Sequence, residues 1–267
     1  MKLSFMTWVC PEWTIDQIIE GAQKYRYDGV ELRVQTEHAH GVDLDTDADR
    51  RAEVKKIFED SPICISAVAT SLQFSNPEEA EREKSVDLLK QYIQLSSDIG
   101  APVIRVFGGA KGKGEPAGIL DNVAACLSAC AGDAESAGVK LGLETHDYFS
   151  HSKYVAKVVE MVGYQAVQAL WDVAHPHRHM ETPEMAYANL RGTVVHLHIH
   201  DYKYTDETKS KIQLVGLGQG VCSHKEAMAL LKADGFTGHF AVEVMRVDPD
   251  ETLPQYSEVF HQHLAEI

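Results

Sequence analysis

Glu144, Asp172, His198 and Glu243 each interrupt a run that otherwise reads as a buried strand. The runs are VKLGLETHD (139–147), QAVQALWDVAH (166–175), VVHLHIHD (194–201) and GHFAVEVM (238–245). Three carboxylates and one imidazole that converge in space form an oxygen-dominated ligand set for one divalent metal ion. Such a set favours Mn2+, also suits Mg2+ or Co2+, and accepts Zn2+ less readily. Burying the three acids uncompensated would cost several kcal/mol per charge, a cost that a dication removes. The plainer alternative is a set of solvated strand-end acids or salt-bridge partners. Their shared phase and shared end position weigh against it. Residues this distant in sequence meet only in a fold that gathers strand ends.

The chain supplies such a fold. Four earlier runs, LSFMTW (3–8), GVELRV (29–34), ICISAVAT (63–70) and PVIRVFGG (102–109), also read as strands, and an amphipathic segment follows each of the eight. TIDQIIEGAQKY opens on a Thr14-x-x-Gln17 capping box, and SHKEAMALLKADG on Ser223-x-x-Glu226. NPEEAEREKSVDLLKQYIQLSSDIG and TPEMAYANLRG begin with Pro and close on Gly. Eight βα units with no composition break point to one α/β domain over 1–267, a (β/α)8 TIM barrel, of the usual size of about 250 residues. A doubly wound open sheet is the rival.

Strand parity orients the candidates. Val195, Leu197 and Ile199 share one face, and His196, His198 and His200 the other. Leu141 and Leu143 oppose Gly142, Glu144 and His146; Phe240, Val242 and Val244 oppose Ala241, Glu243 and Met245; Asp172 opposes Trp171 and Val173. With apolar faces packed on outer helices, the four ligand candidates point into the barrel at its C-terminal end, where barrel enzymes carry their chemistry. His146 shares that phase and faces the cavity. Glu31, Arg33 and Arg105 are inward on the opposite side. The expected pairing is Glu31 with Arg105; the sharper reading gives Arg33 or Arg105 a substrate hydroxyl or carboxylate. His196 reads as a filler below the metal, His177 and His179 as solvent-facing. Asp201 orients a histidine or Lys203, or else forms a simple turn. Trp8 and Trp13 form a sugar-stacking wall or pack in the core.

Composition narrows the function classes. At 267 residues and 44% apolar content the chain can bury a large core, and its net charge of −15 opposes nucleic acid and anionic membranes. It has no apolar run of about 18 residues, and its start (MKLSFMTWVCPEW) does not resemble a signal peptide. Five scattered cysteines without a CxxC pair fit free thiols in the cytoplasm. VGLGQG (215–220) follows no phosphate-binding βα turn, so it reads as a tight turn before the seventh helix. A small carbohydrate is the expected partner, without nucleic acid, membrane or nucleotide.

The pieces LGLETHD, LWDVAHPHRH and HLHIHD, together with GVELR and FAVEV, resemble the xylose isomerase-like TIM-barrel superfamily, the sugar phosphate isomerase/epimerase group. Hydroxypyruvate isomerase, ketose 3-epimerases, inosose dehydratase and endonuclease IV are relatives. The resemblance covers nearly the whole chain. It implies one divalent metal on Glu144, Asp172, His198 and Glu243, with Glu144 and Glu243 doubling as an acid/base pair. It also implies that His175, which completes the D-x-x-H motif, contacts a substrate oxygen, and that the chain forms a homo-oligomer. Two positions depart from the ketose 3-epimerases: Ser150 stands where they carry a second Glu, and Tyr204, with Lys203 beside it, where they carry an Arg. Lys203 joins His146, His175, Arg33 and Arg105 as a substrate-binding candidate.

The expected activity is therefore proton transfer beside a carbonyl of a sugar or polyol-derived substrate, isomerisation or epimerisation. A lyase on the same site, dehydrating an inosose or eliminating from a 3-keto-glycoside, is the nearest alternative. An endonuclease IV-like phosphodiesterase is remote, because KYTDETKSKIQ lacks the D-x-H pair that such a site needs. Substrate choice is expected in the loops 35–47, 110–118 and 203–215.

Overall fold

The computed structural model describes residues 1–109 and 116–267. In chain order its elements are β1 (Lys2–Met6), α1 (Ile15–Lys24), β2 (Gly29–Arg33), α2 (Ala48–Glu59), β3 (Cys64–Gln73), α3 (Glu79–Ile99), β4 (Val103–Phe107), α4 (Pro116–Ala137), β5 (Lys140–Glu144), α5 (Ser152–Val162), β6 (Val167–Asp172), α6 (Ala174–Arg178), α7 (Pro183–Leu190), β7 (Val194–Ile199), β8 (Asp201–Tyr204), β9 (Ile212–Val215), α8 (His224–Ala233), β10 (His239–Val242) and α9 (Pro249–Glu266). Parallel strands close in the order β1-β10-β7-β6-β5-β4-β3-β2, the (β/α)8 barrel that the eight strand–helix units call for. None of the described helices is long and apolar enough to cross a membrane.

Alternation builds the two layers. Leu3 and Phe5, Val30 and Leu32, Ile104 and Val106, Leu141 and Leu143, Ala169 and Trp171, and Phe240 and Val242 join one apolar cluster with the helices. The intervening residues line the inside. Parity slips at two places. The outward set of β3 steps from Ile65 to Val68, where the register against β2 shifts; that of β7 steps from Val194 to Leu197, where the register against β6 shifts. Val195 therefore turns inward, its methyl 3.6 Å from where a Cβ on Gly142 would lie. The expectation that it shares a face with Leu197 is corrected. An extra residue in one strand re-aims every side chain beyond it, and bulges of this kind gather beside active sites.

Helix ends follow the sequence in part. Thr14 and Gln17 form the reciprocal capping box on α1, and Thr182 accepts from the Met185 amide with Pro183 in the first turn of α7. Gly100 closes α3 at φ 79°, a left-handed conformation that glycine reaches without a Cβ clash. Pro77 lies just before α3. Ser223 makes no cap bond, its backbone being off the extended geometry that aims a capping side chain at the N3 amide.

The β7–α8 connection holds an antiparallel hairpin, β8 against β9, where a plain loop was expected. Asp201 organises it: one carboxylate oxygen accepts from the Tyr202 and Cys222 amides at 2.9 and 3.1 Å, the other from Gly218 and Gly220 at 3.0 and 2.9 Å. Asp201 thus orients neither a histidine nor Lys203. It folds the VGLGQG segment, which passes so close that a Cβ on Gly220 would lie 2.0 Å from Asp201 Oδ1.

Candidate metal centre and substrate cavity

Glu144 ends β5, Asp172 ends β6, His198 lies one residue from the end of β7, and Glu243 follows β10. Register sets Asp172 beside His198, and His198 beside Ala241 two residues before Glu243. One ligand atom from each of the four lies within 4.8 Å of the others. Glu144, Asp172 and His198 are inaccessible to water, while the Glu243 side chain is 12% exposed and forms the open side.

His198 is central. Its Nδ1 is 3.1 Å from Glu144 Oε1 and 3.0 Å from Glu243 Oε2, and its Nε2 is 3.1 Å from both oxygens of Glu31. Burial alone would lower the imidazole, but Glu243, Glu31 and Glu144 together hold its pKa well above the ordinary 6.5. Burial likewise pushes the carboxyls of Glu31 and Glu243 up. The attraction of neighbouring groups overcomes it, His198 and His196 at Glu31 and His198 then Arg105 at Glu243, so that Glu31 sits well below its usual range and Glu243 at about 2.

Asp172 is held by its neighbours. Its Oδ1 accepts from the Ala174 and His175 amides at 2.7 and 3.0 Å, starting the short α6, and Thr145 bonds its backbone on both sides. Its Oδ2 makes no hydrogen bond and faces His200 Nδ1 at 3.3 Å. Against burial, His200 and His175 pull the Asp172 carboxyl far below the ordinary carboxylate range.

These residues fit a divalent metal. Glu144 Oε2 and Asp172 Oδ2 are buried acceptors without a hydrogen bond, and unsatisfied buried carboxylate oxygens are costly. Glu144 Oε1 and Glu243 Oε2 both stand within about 3.1 Å of His198 Nδ1, itself an acceptor when the neutral ring carries its hydrogen on Nε2. Ligands bound at right angles at ~2.1 Å to one cation stand about 3.0 Å apart. Either a proton on Nδ1 or a cation must hold that crowd together, and oxygen-rich ligation with one nitrogen suits a hard or borderline dication.

The other candidates spread round the rim. His175 is buried enough to pull its pKa below 6.5 despite the pull of Asp172; its ring lies 4.3 Å from His146, which lies 4.5 Å from Phe107. His146 Nδ1 is 3.1 Å from Asp147. Arg105 is fully buried, stacked 4.0 Å over Phe107, with Glu144 at 3.5 Å and Glu243 at 3.7 Å, and none of its side-chain nitrogens makes a hydrogen bond. Its partners are thus the two candidate acid/base carboxylates, and Glu31 goes to the histidines, which corrects the Glu31–Arg105 pairing. The electrostatic reason is that His196 and His198 reach Glu31 at 2.9 and 3.1 Å.

Arg33 spends its guanidinium on the protein, donating to the Val34 and Ala69 carbonyls and to Ser71, and it stacks 5.0 Å over Trp8. Lys203 is exposed on β8. His177 is half-buried and bonds the Tyr202 hydroxyl at 2.7 Å, so it braces the hairpin instead of facing solvent; His179 is exposed as expected. Ser150 donates to the Asp147 carbonyl at 2.8 Å, and Tyr204 OH lies 3.4 Å from Tyr202 OH. The loop 110–118 expected to choose substrate lies mostly outside the described residues.

Two inward residues, His200 and Glu31, take partners in this site that the sequence does not predict. His200 pairs with Asp172, and its alternation with His196 and His198 was the available signal. Glu31 is inward as its phase requires, but its partners are His196 and His198.

The sequence profile of the xylose isomerase-like TIM barrel family matches residues 19–262. An uncharacterized protein of Methanocaldococcus jannaschii is 23% identical over 218 residues, 76% of this chain and 73% of its own length. Among solved structures, an L-ribulose 3-epimerase superposes with a TM-score of 0.81 at 16% identity, covering 99% of this chain and 95% of that one. The IolI protein with a bound zinc atom gives 0.80 at 19% identity, covering 100% and 97%. The probable 3-DHS dehydratase AsbF from Bacillus anthracis gives 0.80 at 16% identity, covering 98% and 99%. The chain belongs to the xylose isomerase-like TIM barrel family.

Proposed function

We propose that this protein is a divalent-metal-dependent sugar isomerase or epimerase, moving a proton beside the carbonyl of a sugar or polyol-derived substrate. The observation that carries the reading is the carboxylate pair: Glu144 and Glu243 each approach His198 Nδ1, at 3.1 and 3.0 Å, and both stand beside Arg105. Glu144, Asp172, His198 and Glu243 would hold the metal, with Mn2+ the favoured ion and Mg2+, Co2+ or Zn2+ able to occupy the same ligands. The chemistry supplied by a bound dication is Lewis acidity, which polarises a substrate carbonyl as the neighbouring C–H bond breaks.

The protein supplies the proton path. One carboxylate of the pair takes the proton from the carbon beside the carbonyl, and the C–H electrons move into the carbonyl system. Return of that proton to the former carbonyl carbon, with the proton of the neighbouring hydroxyl passing to the former carbonyl oxygen, gives isomerisation; delivery of a proton from the opposing carboxyl to the other face of the original carbon gives epimerisation. Glu243, the partly exposed member of the pair, is the carboxylate nearer an entering substrate. Arg105 balances the charge of both acids. His175, kept neutral by burial, is suited to hydrogen-bond a substrate oxygen, and His146 and Phe107 extend the wall beside it.

A lyase acting through the same carboxylates is the second reading. It is favoured by Ser150 and Tyr204, whose hydroxyls are engaged with Asp147 and Tyr202 where ketose 3-epimerases carry Glu and Arg. Incubation of the manganese-loaded protein with a panel of ketoses and aldoses in deuterium oxide tests both. One deuteron beside the carbonyl together with a new sugar supports isomerase or epimerase chemistry. A conjugated product absorbing in the ultraviolet supports the lyase, and neither exchange nor conversion across the panel overturns both.

A further inference from the structure

We propose that Glu31 is a positioning residue for the metal centre, fixing the tautomer and ring angle of His198 from the far side of the barrel. The inference rests on the metal reading above and extends it to a residue outside the four-ligand set. Glu31 comes from β2, which is separated from β7 by β1 and β10 in the closed barrel, so its carboxylate must cross the barrel floor. Alternation within β2 points Glu31 inward, between outward Val30 and Leu32. Val30 pairs with Ile65 and Glu31 with Ala67, so the extra residue of β3 sits at the step where the Glu31 side chain turns inward.

The Glu31 carboxylate is inaccessible to water and its partners are two histidines. Its Oε2 is 2.9 Å from His196 Nε2, and both oxygens are 3.1 Å from His198 Nε2. An ionised carboxylate only accepts, so each Nε2 carries the hydrogen. With Nε2 protonated, a neutral His198 has its lone pair on Nδ1, the atom between Glu144 Oε1 and Glu243 Oε2. The same tautomer is the one a metal at that point requires. A carboxylate behind a ligating imidazole fixes its orientation and makes the ring a better donor, and loss of such a partner typically weakens metal affinity by 10–100-fold. His196 anchors the second side of the carboxylate, which gives this buried histidine a task beyond filling space.

An ordinary buried ion pair would need none of this directionality. A general stabiliser would alter unfolding when removed and leave the tautomer and the affinity of a folded variant alone.

The test compares wild type, Glu31→Gln and Glu31→Ala. Manganese is titrated calorimetrically into chelator-stripped protein, and long-range 1H–15N spectra of the histidines are recorded on the zinc-loaded protein. Manganese binding should weaken roughly 10–100-fold in Glu31→Gln and further in Glu31→Ala. His198 in the wild type should show a slowly exchanging proton on Nε2, and Glu31→Gln should lose its protection. A wild-type signal with the proton on Nδ1 overturns the proposal without recourse to any variant, and so does unchanged manganese affinity in a folded Glu31→Gln protein. Wild type that binds neither manganese nor zinc overturns the underlying metal reading, and the Glu31 role with it.

Discussion

Nδ1 of His198 and Oε2 of Glu243 stand 3.0 Å apart, although β7 and β10 are separated in sequence by the hairpin and α8. The contact joins the centre of the buried ligand set to its one partly exposed member. On the proposed function, Glu243 is therefore the carboxylate best placed both to hold an ion and to meet a substrate entering from the barrel mouth. Removing its charge should be more damaging than its small exposed area suggests.

Glu144→Gln and Glu243→Gln should each reduce turnover by at least about 10²–10⁴-fold, the usual contribution of a positioned acid or base. Both variants should fold, since the amide is nearly isosteric with the carboxylate. Steady-state rates and metal content, measured on the same preparations, separate the two roles. Loss of rate with metal retained marks proton transfer, and loss of both marks ligation. A fully active variant of either residue would remove it from the proposed pair.

Stripping the metal with a chelator should abolish turnover and lower thermal stability, because binding to the folded state alone stabilises it by mass action. Manganese restored at 100 times its Kd should return about 2.7 kcal/mol. Thermal unfolding followed by circular dichroism across a manganese series checks this; a midpoint that ignores manganese, magnesium, cobalt and zinc alike would argue that the four residues hold no dication.

The barrel and the ring of four were readable in the sequence because both depend on alternation, a local property. Glu144 and Asp172 declare their phase through Leu143 and Trp171 alone. Register shifts are not local. The extra residues near Ser66 and Val195 become visible only once β3 and β7 pair with their neighbours, and which inward groups meet, Glu31 with His198 and Arg105 with Glu144 and Glu243, only once the barrel closes. The β8–β9 hairpin was hidden for a different reason. Its strands are four residues each, largely polar or half-exposed, and its main organiser is a single carboxylate, Asp201, whose backbone partners leave no composition signal.

The segment after β2 should loosen on mild acidification. His40 is buried, its Nδ1 accepts from the Val42 amide at 3.1 Å, and its Nε2 therefore carries the hydrogen donated to the Arg33 carbonyl at 3.1 Å. A proton on Nδ1 would face an N–H, and burial, with His38 adding to it, lowers the pKa from 6.5 to about 4. The folded state thus binds fewer protons than the unfolded chain between these values. The stability from a neutral His40 is complete above about pH 6.5 and declines as pH falls toward 4, at no more than about 1.4 kcal/mol per pH unit. Denaturant unfolding at pH 7 and pH 4.5, in wild type and His40→Gln, should show a smaller pH dependence in the variant. Equal dependence would assign the loss to other groups.

Gly220→Ala should disrupt the hairpin beside the site. The new Cβ would stand 2.0 Å from Asp201 Oδ1 and 2.4 Å from the Tyr202 carbonyl oxygen, and backbone cannot yield as a flexible side chain can. Relief requires Asp201 to release amides of Gly218, Gly220 and Cys222, which frees the turn between β9 and α8. Overpacking of this kind costs about 1–3 kcal/mol, so the unfolding midpoint should fall by several degrees while the barrel remains folded. Hydrogen exchange should localise the loss to 201–222, since the strands that carry Glu144 and Asp172 do not depend on that turn. His177→Ala, which removes only the 2.7 Å brace to Tyr202, should raise exchange in β8 with little change in turnover. Protection unchanged across 201–222 in Gly220→Ala would mean that Asp201 does not hold the hairpin.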